Sequence, residues 1–158
     1  MVYSYSKKLE KEDHIAKAVG LDLPLSTKHC IEICNWIRGK NLDAAISMLE
    51  DVVKEKRSLP FRRFNKGLGH KRDGMAGRYP KKACGEIIKL LKSAGANAQF
   101  KGLNASSLTI THICTQQAPK SWHYGRFFRR VMKRAHVEVM VEEKEKAEKK
   151  QKREGVKK

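Results

Sequence analysis

The side chains able to do chemistry come first. His29, Cys30 and Cys34 stand close enough to crowd one side of a helix, and imidazole and thiolate are donors that a zinc-class ion accepts. No complementary ligand set with metal-site spacing accompanies them. The four cysteines, Cys30, Cys34, Cys84 and Cys114, contain no C-x-x-C pair and sit among apolar neighbours, so they read as reduced core thiols without a metal. His112, inside a β-branched run, reads as a surface or core residue rather than a general base. Gly67-Leu68-Gly69-His70-Lys71 lacks both the G-x-x-x-x-G-K-S/T frame and a preceding buried strand, so it is neither a nucleotide phosphate loop nor a dinucleotide fingerprint. No paired carboxylates stand near a plausible pocket. The pattern points away from an enzyme and implies no cofactor.

Phosphate recognition is a different matter. Pro60-Phe61-Arg62-Arg63-Phe64-Asn65 alternates rings with guanidinium groups, and Lys66, His70, Lys71, Arg72, Arg78 and Tyr79 follow. Guanidinium forks fit phosphate oxygens, and rings and guanidinium planes stack on exposed bases. Gly67, Gly69, Gly74 and Gly77 would let a phosphate chain approach the backbone closely. The alternative for Phe61 and Phe64 is that they tuck into the core. A second basic, aromatic stretch, Gln116 to Ala135, carries Lys120, Trp122, His123, Tyr124, Arg126, Phe127, Phe128, Arg129, Arg130, Lys133 and Arg134. The whole chain of 158 residues has 35 Lys+Arg against 17 Asp+Glu, a formal charge of +18, which exceeds what solubility requires. Each neutralised phosphate releases counterions, so such a chain binds a polyanion before any base is read.

The elements that must position these residues follow from periodicity. Cys30, Ile33, Cys34 and Ile37 share a helical face over Ser26 to Arg38, with Ser26 or Thr27 to cap and Gly39 to stop. A second helix is capped by Asn41, buries Leu42, Ala45, Ile46, Leu49, Val52 and Val53, and ends in the basic turn Lys54 to Arg57. A third starts at Pro80 and runs to a stop near Gly102. Strands are predicted at Leu108 to Thr115 and His136 to Val141, and Tyr3-Ser4-Tyr5 could add an edge strand. If Leu108 pairs near Val141, the turn falls at Tyr124-Gly125, and arms of about fifteen residues at roughly 3.3 Å each project around 50 Å. Such a ribbon is marginal alone and needs a negatively charged partner. The long loop 57–79 likewise needs something to order it. One domain over 1–143 is expected, followed by a charged, solvated tail over 144–158. No stretch approaches the ~18 apolar residues of a membrane span. The N-terminus has no apolar leader, so a cytoplasmic protein is expected.

Several segments together are similar to one family: Pro60-Phe61-Arg62-Arg63-Phe64-Asn65, Gly69-His70-Lys71, Gly77-Arg78-Tyr79-Pro80, Asn97-Ala98, Lys101-Gly102-Leu103, His112-Ile113, Gln117-Ala118-Pro119-Lys120, Gly125-Arg126 and His136-Val137-Glu138-Val139. From about Tyr3 to Glu143 the chain resembles the ribosomal large-subunit protein twenty-two family, in its archaeal and eukaryotic branch. The resemblance implies an α+β fold, three helices packed on a small antiparallel sheet, with a long protruding β-hairpin. It further implies binding to large-subunit rRNA, neighbouring ribosomal proteins, and a hairpin that lines the polypeptide exit tunnel beside the nascent chain. The tip residues Trp122, His123, Tyr124 and Gly125 would then face the tunnel. Trp122-His123 stands where relatives carry Arg-Ala, and the return after Gly125-Arg126 is several residues shorter. A competing reading is an architectural DNA-binding protein that lays the basic hairpin in a groove.

Overall fold

The computed structural model describes residues 3–7, 14–72 and 75–143. Its elements, in chain order, are strand β1 (Ile15–Leu23), helices α1 (Thr27–Ile37) and α2 (Leu42–Val53), and the short strands β2 (Leu59–Pro60) and β3 (Gly77–Arg78). Helix α3 (Lys81–Phe100) and strands β4 (Leu108–Gln117) and β5 (Ala135–Glu143) complete it. The main sheet is antiparallel in the order β1-β5-β4, so an α+β fold of three helices on a small antiparallel sheet is what the chain adopts.

The helices lie where the periodicity puts them. On α1, Cys30, Ile33, Cys34 and Ile37 are buried. Asn41 caps α2 by accepting the Asp43 N–H at 3.0 Å, which satisfies one of the otherwise orphaned first-turn donors. Ser26 occupies the corresponding position before α1 without making a side-chain cap. Alternation along β5 sends Val137, Val139 and Val141 into the core shared with the helices, while Glu138 points to the opposite face. Burial pushes the Cys30, Cys34 and Cys84 thiols up to about 12, so all three stay protonated and unreactive. A thiol-alkylating reagent at mildly alkaline pH should therefore leave them unlabelled in the native protein and label them after unfolding. Rapid native labelling, located by peptide mass mapping, would show that this core opens.

The edge of the sheet differs from the expectation. Tyr3-Ser4-Tyr5 forms no strand; β1, which periodicity did not reveal, pairs with β5 from Ile15 opposite Glu142 onward. Segment 3–7 instead lies over the sheet face that turns away from the helices. There Tyr3 donates to Glu138 Oε2 at 3.2 Å, and the Ser6 hydroxyl donates to Glu138 Oε1.

The hairpin register also differs. Leu108 faces Glu143, not Val141, and an irregularity between Ile110 and His112 adds a further step. The regular ladder ends at Gln117 opposite Ala135, and those inner ten residues of β4 belong to the helix-covered sheet. Only the outer part projects. From Gln117 to the reversal at Tyr124 it spans roughly 23 Å at ~3.3 Å per residue, about half the expected ribbon. Segment 144–158, expected to be a solvated tail, lies outside the described residues.

Candidate nucleic-acid interface

The long loop 57–79 is fastened to α1 by one carboxylate. Glu32 is 2 % exposed, and it accepts the backbone N–H groups of Arg62 at 3.2 Å, Arg63 at 2.8 Å and Phe64 at 2.7 Å. Three donors on a buried anion are charge-assisted bonds in a shielded setting. With the backbone held this way, the two arginines part: Arg62 borders a cleft with Asn35, Trp36 and Lys40, and Arg63 borders another with His29 and Phe64. Phe61 corrects the stacking expectation, because it is 4 % exposed in the core with its ring edge-on to His29 at 5.6 Å. It cannot reach a base. Phe64 is only partly buried and lies under Lys28 and Arg63, at 5.6 and 5.4 Å from its centroid.

The rest of the loop returns through β2 and β3, which pair Leu59 with Arg78 and Pro60 with Gly77. Gly77 fits closely there: a Cβ would meet Leu59 O at 3.0 Å and Ser58 Oγ at 3.1 Å, and those neighbours would have to give by a few tenths of an ångström. The glycine therefore serves the protein's own backbone packing. Asn65, Lys66, His70, Lys71, Arg72 and Arg78 are all exposed, and Tyr79 is half-buried with the Lys71 ammonium 5.7 Å from its ring. Gly67, Gly69, Lys71, Arg78 and Tyr79 line a third, shallow hollow. Gly74 lies outside the described residues.

Hairpin and loop meet at the hairpin's base. Lys133 joins Lys28, Arg63, Lys66 and Arg78 around the cleft that contains His29. Burial, then the positive charges of Arg78 and Lys133, hold the His29 imidazole below its ordinary value, so it stays neutral among these cations. Arg134 also has an internal contact: it is half-buried and donates to the Asp22 carbonyl at 3.1 Å, tying the hairpin base to β1. Farther out, every residue from Pro119 to Val131 is exposed. Trp122 pairs with Val131, and the His123 N–H donates to Arg130 O at 2.9 Å. The chain thus reverses across residues 124–129, about two residues later than Tyr124-Gly125, because of the shifted register. Gly125, at φ +63°, supplies the left-handed residue of that turn. Trp122 and His123 lie on the arm just below it. The Arg126 and Arg130 guanidinium groups each lie 5.0 Å from the Phe127 ring, and Arg129 lies 5.6 Å from Phe128.

Between Ile87 and Val137 the sequence has no Asp or Glu. Among the described residues, Arg62, Arg63, Lys66, Lys71, Arg72, Arg78, Lys120, Arg126, Arg129, Arg130 and Lys133 make no ion pair with a carboxylate. The lysines that do, Lys54, Lys81, Lys89 and Lys92, belong to the α2 and α3 side. Among the described residues, the loop and the hairpin therefore present cations without carboxylate partners, and Arg63, Lys66, Arg78 and Lys133 share one cleft.

Residues 18–142 match the family model of ribosomal protein L22p/L17e. The chain belongs to that family. It is similar to the large ribosomal subunit protein uL22 of Archaeoglobus fulgidus, 43% identical over 135 residues that cover 84% of this chain and 83% of the relative. It is also similar to the uL22 proteins of Methanocaldococcus jannaschii (42% identical, covering 81% of this chain and 87% of the relative) and Methanococcoides burtonii (46%, covering 68% and 72%). Membership makes this a ribosomal protein with a structural rather than a catalytic task. No helix among the described residues is long and apolar enough to cross a membrane.

Sequence reasoning missed several contributors to this face. Lys28 and His29 open α1, and Lys40 and Trp36 border the Arg62 cleft. Arg57 lies 5.2 Å from the Trp36 ring. The available signal was Lys28, Glu32 and Asn35 at helical spacing, a polar strip beside the apolar face of α1.

Proposed function

We propose that this protein is a structural constituent of the large ribosomal subunit that grips large-subunit rRNA between the loop 57–79 and the hairpin, with the hairpin end at the wall of the polypeptide exit tunnel. The observation that carries this is the convergence of Arg63, Lys66, Arg78 and Lys133 on one cleft, without carboxylate partners among the described residues, in a chain whose relatives are named as large-subunit proteins. Phosphates supply the missing counter-charge. At the hairpin end, guanidinium groups already laid on Phe127 and Phe128 offer planar surfaces for unpaired bases. Neighbouring ribosomal proteins and the nascent chain are the further partners of this reading, and the cytoplasm is its place.

Competition binding tests the grip. Large-subunit rRNA fragments should outcompete duplex DNA of matched length at matched salt, and Arg62→Ala with Arg63→Ala should lower the log–log salt slope by roughly 0.7 to 0.9 per lost phosphate contact. Equal competition by duplex DNA would favour the architectural DNA-binding reading, and an unchanged slope would place both arginines outside the contact.

The tunnel assignment has its own test. Deleting Trp122 through Phe127 and closing the arms with Asn-Gly removes only exposed residues, so the domain should fold and enter the subunit almost normally. Crosslinking to the nascent chain should change. Unaltered crosslinking would mean that the hairpin end does not border the tunnel, and failed incorporation would make it an assembly anchor.

A further inference from the structure

On the sheet face opposite the helices, β4 and β5 bring together three side chains that the RNA-facing surface does not use. Cys114 stands directly opposite Glu138, and His112, two residues earlier on β4, lies diagonal to it. The His112 Nε2 and Glu138 Oε1 atoms are 2.9 Å apart, and the His112 nitrogen, Cys114 sulfur and Glu138 oxygen all lie within 4.8 Å of one another. From this geometry we infer a binding site for a zinc-class divalent ion, held by His112, Cys114 and Glu138, with the Ser6 hydroxyl or a water at the fourth position.

The chemistry of the donors supports the class of ion. Thiolate and imidazole select zinc-like metals over magnesium or calcium, which prefer oxygen alone. Around a four-coordinate zinc at ~2.0–2.3 Å, donor atoms stand roughly 3.3 to 3.8 Å apart. Side-chain rotations that open the His112–Glu138 pair from 2.9 Å by about half an ångström and draw in any wider pair by up to about an ångström would meet that spacing. Binding replaces the Cys114 thiol proton, which passes to solvent, so thiolate and carboxylate together neutralise a dication while the imidazole binds through Nε2 as a neutral ligand.

The supporting shell is already built. Glu138 is 1 % exposed, and Tyr3 donates to its Oε2 at 3.2 Å, which leaves Oε1 directed at His112. The Ser6 Oγ lies 3.0 Å from His112 Nε2 and also bonds Glu138 Oε1, so it is close enough to move aside for an ion and turn toward it as the fourth ligand. Two ligands on adjacent, hydrogen-bonded strands and a third on the same face are positioned by rigid elements rather than by a loop. The ordinary alternative is a hydrogen-bond network whose whole purpose is to satisfy the buried Glu138 carboxylate.

Cobalt(II) separates the two. The reduced, purified full-length chain, titrated with Co2+, should bind one equivalent and show thiolate-to-cobalt charge transfer in the near ultraviolet, and Zn2+ should abolish it. Cys114→Ala should remove the charge-transfer band, and Cys114→Ala and His112→Ala should each weaken Zn2+ binding by on the order of 100-fold. Cys34→Ala, on the opposite face, should leave the spectrum unchanged. Both test positions are only half-buried, and circular dichroism of each variant checks that it folds. Zn2+ should also protect Cys114 from alkylation. No thiolate band, or Zn2+ affinity of Cys114→Ala within about threefold of the parent protein, overturns the site and leaves the hydrogen-bond network as its whole meaning.

Discussion

Replacing Glu32 with Ala is expected to cost about 3 kcal/mol of stability, because three backbone donors lose a buried anionic acceptor and each hydrogen bond to a charged group contributes roughly 1.5 to 3 kcal/mol before the loop relaxes. In a domain of this size that lowers the melting temperature by roughly 10 °C. Glu32→Gln should fall between the two proteins. Its amide oxygen can still accept, but its NH2 must face an N–H that now has no partner. The effect on RNA binding has a distinctive form. All the loop cations remain in Glu32→Ala, so the number of phosphates contacted, and with it the salt slope, should hardly change. Affinity at every salt concentration should fall, since Arg62 and Arg63 must now be ordered on binding. Calorimetric melting and salt-dependent rRNA titrations of the two variants check this. Unchanged stability would show that water replaces the carboxylate at no cost and that the loop holds itself.

That single carboxylate also shows where sequence reasoning stopped. The three helices were legible because Cys30, Ile33, Cys34 and Ile37, and their counterparts on α2 and α3, repeat at helical spacing and turn to the core, although Ile46 and Val53, expected in the buried stripe of α2, are only partly buried at its edge. Glu32 looked like any polar residue on an exposed flank, and its acceptor role depends on backbone some thirty residues away. The strand β1 was illegible for a different reason. Its buried positions include Ala16 and Ala18, which are poor strand formers, and they are small because α3 lies against them. The hairpin was legible as a hairpin but not in register. With Leu108 opposite Val141, Cys114 would have faced Ala135; the true pairing sets it against Glu138. Side chains alternate faces along a strand, so this three-residue error at Cys114 hides a constellation that forms across strands. The cationic residues themselves were plain in the sequence, since charge is not covered by packing. Their division between a cleft and a hairpin end, and the tie that Arg134 makes to β1, required the fold.

Replacing Arg63, Lys66, Arg78 and Lys133 together by Gln should lower the log–log salt slope of rRNA binding by about 3, at 0.7 to 0.9 for each of four phosphate contacts, and reduce affinity at 0.1 M salt by roughly 10²–10³-fold. The four side chains come from three places in the chain, Arg63 with Lys66, Arg78, and Lys133 in the hairpin, and they surround one cleft. All four are exposed, so their removal should leave the melting temperature within a few degrees of the parent protein. Total charge is the obvious confounder, and the molecule contains its own control. Lys54, Lys81, Lys89 and Lys92 carry the same total charge but face Glu50, Glu55 and Glu86 on the α2 and α3 side. Changing those four to Gln alters the net charge identically while leaving the cleft intact. Filter-binding or fluorescence titrations across a salt series should then show a steep slope for the helix variant and a shallow one for the cleft variant. Because counterion release counts only phosphates in close contact, a site and a diffuse positive field make different predictions here. Equal losses of slope in the two variants would reduce the cleft to one part of a general charge, and the convergence of loop and hairpin would then have no role in holding RNA.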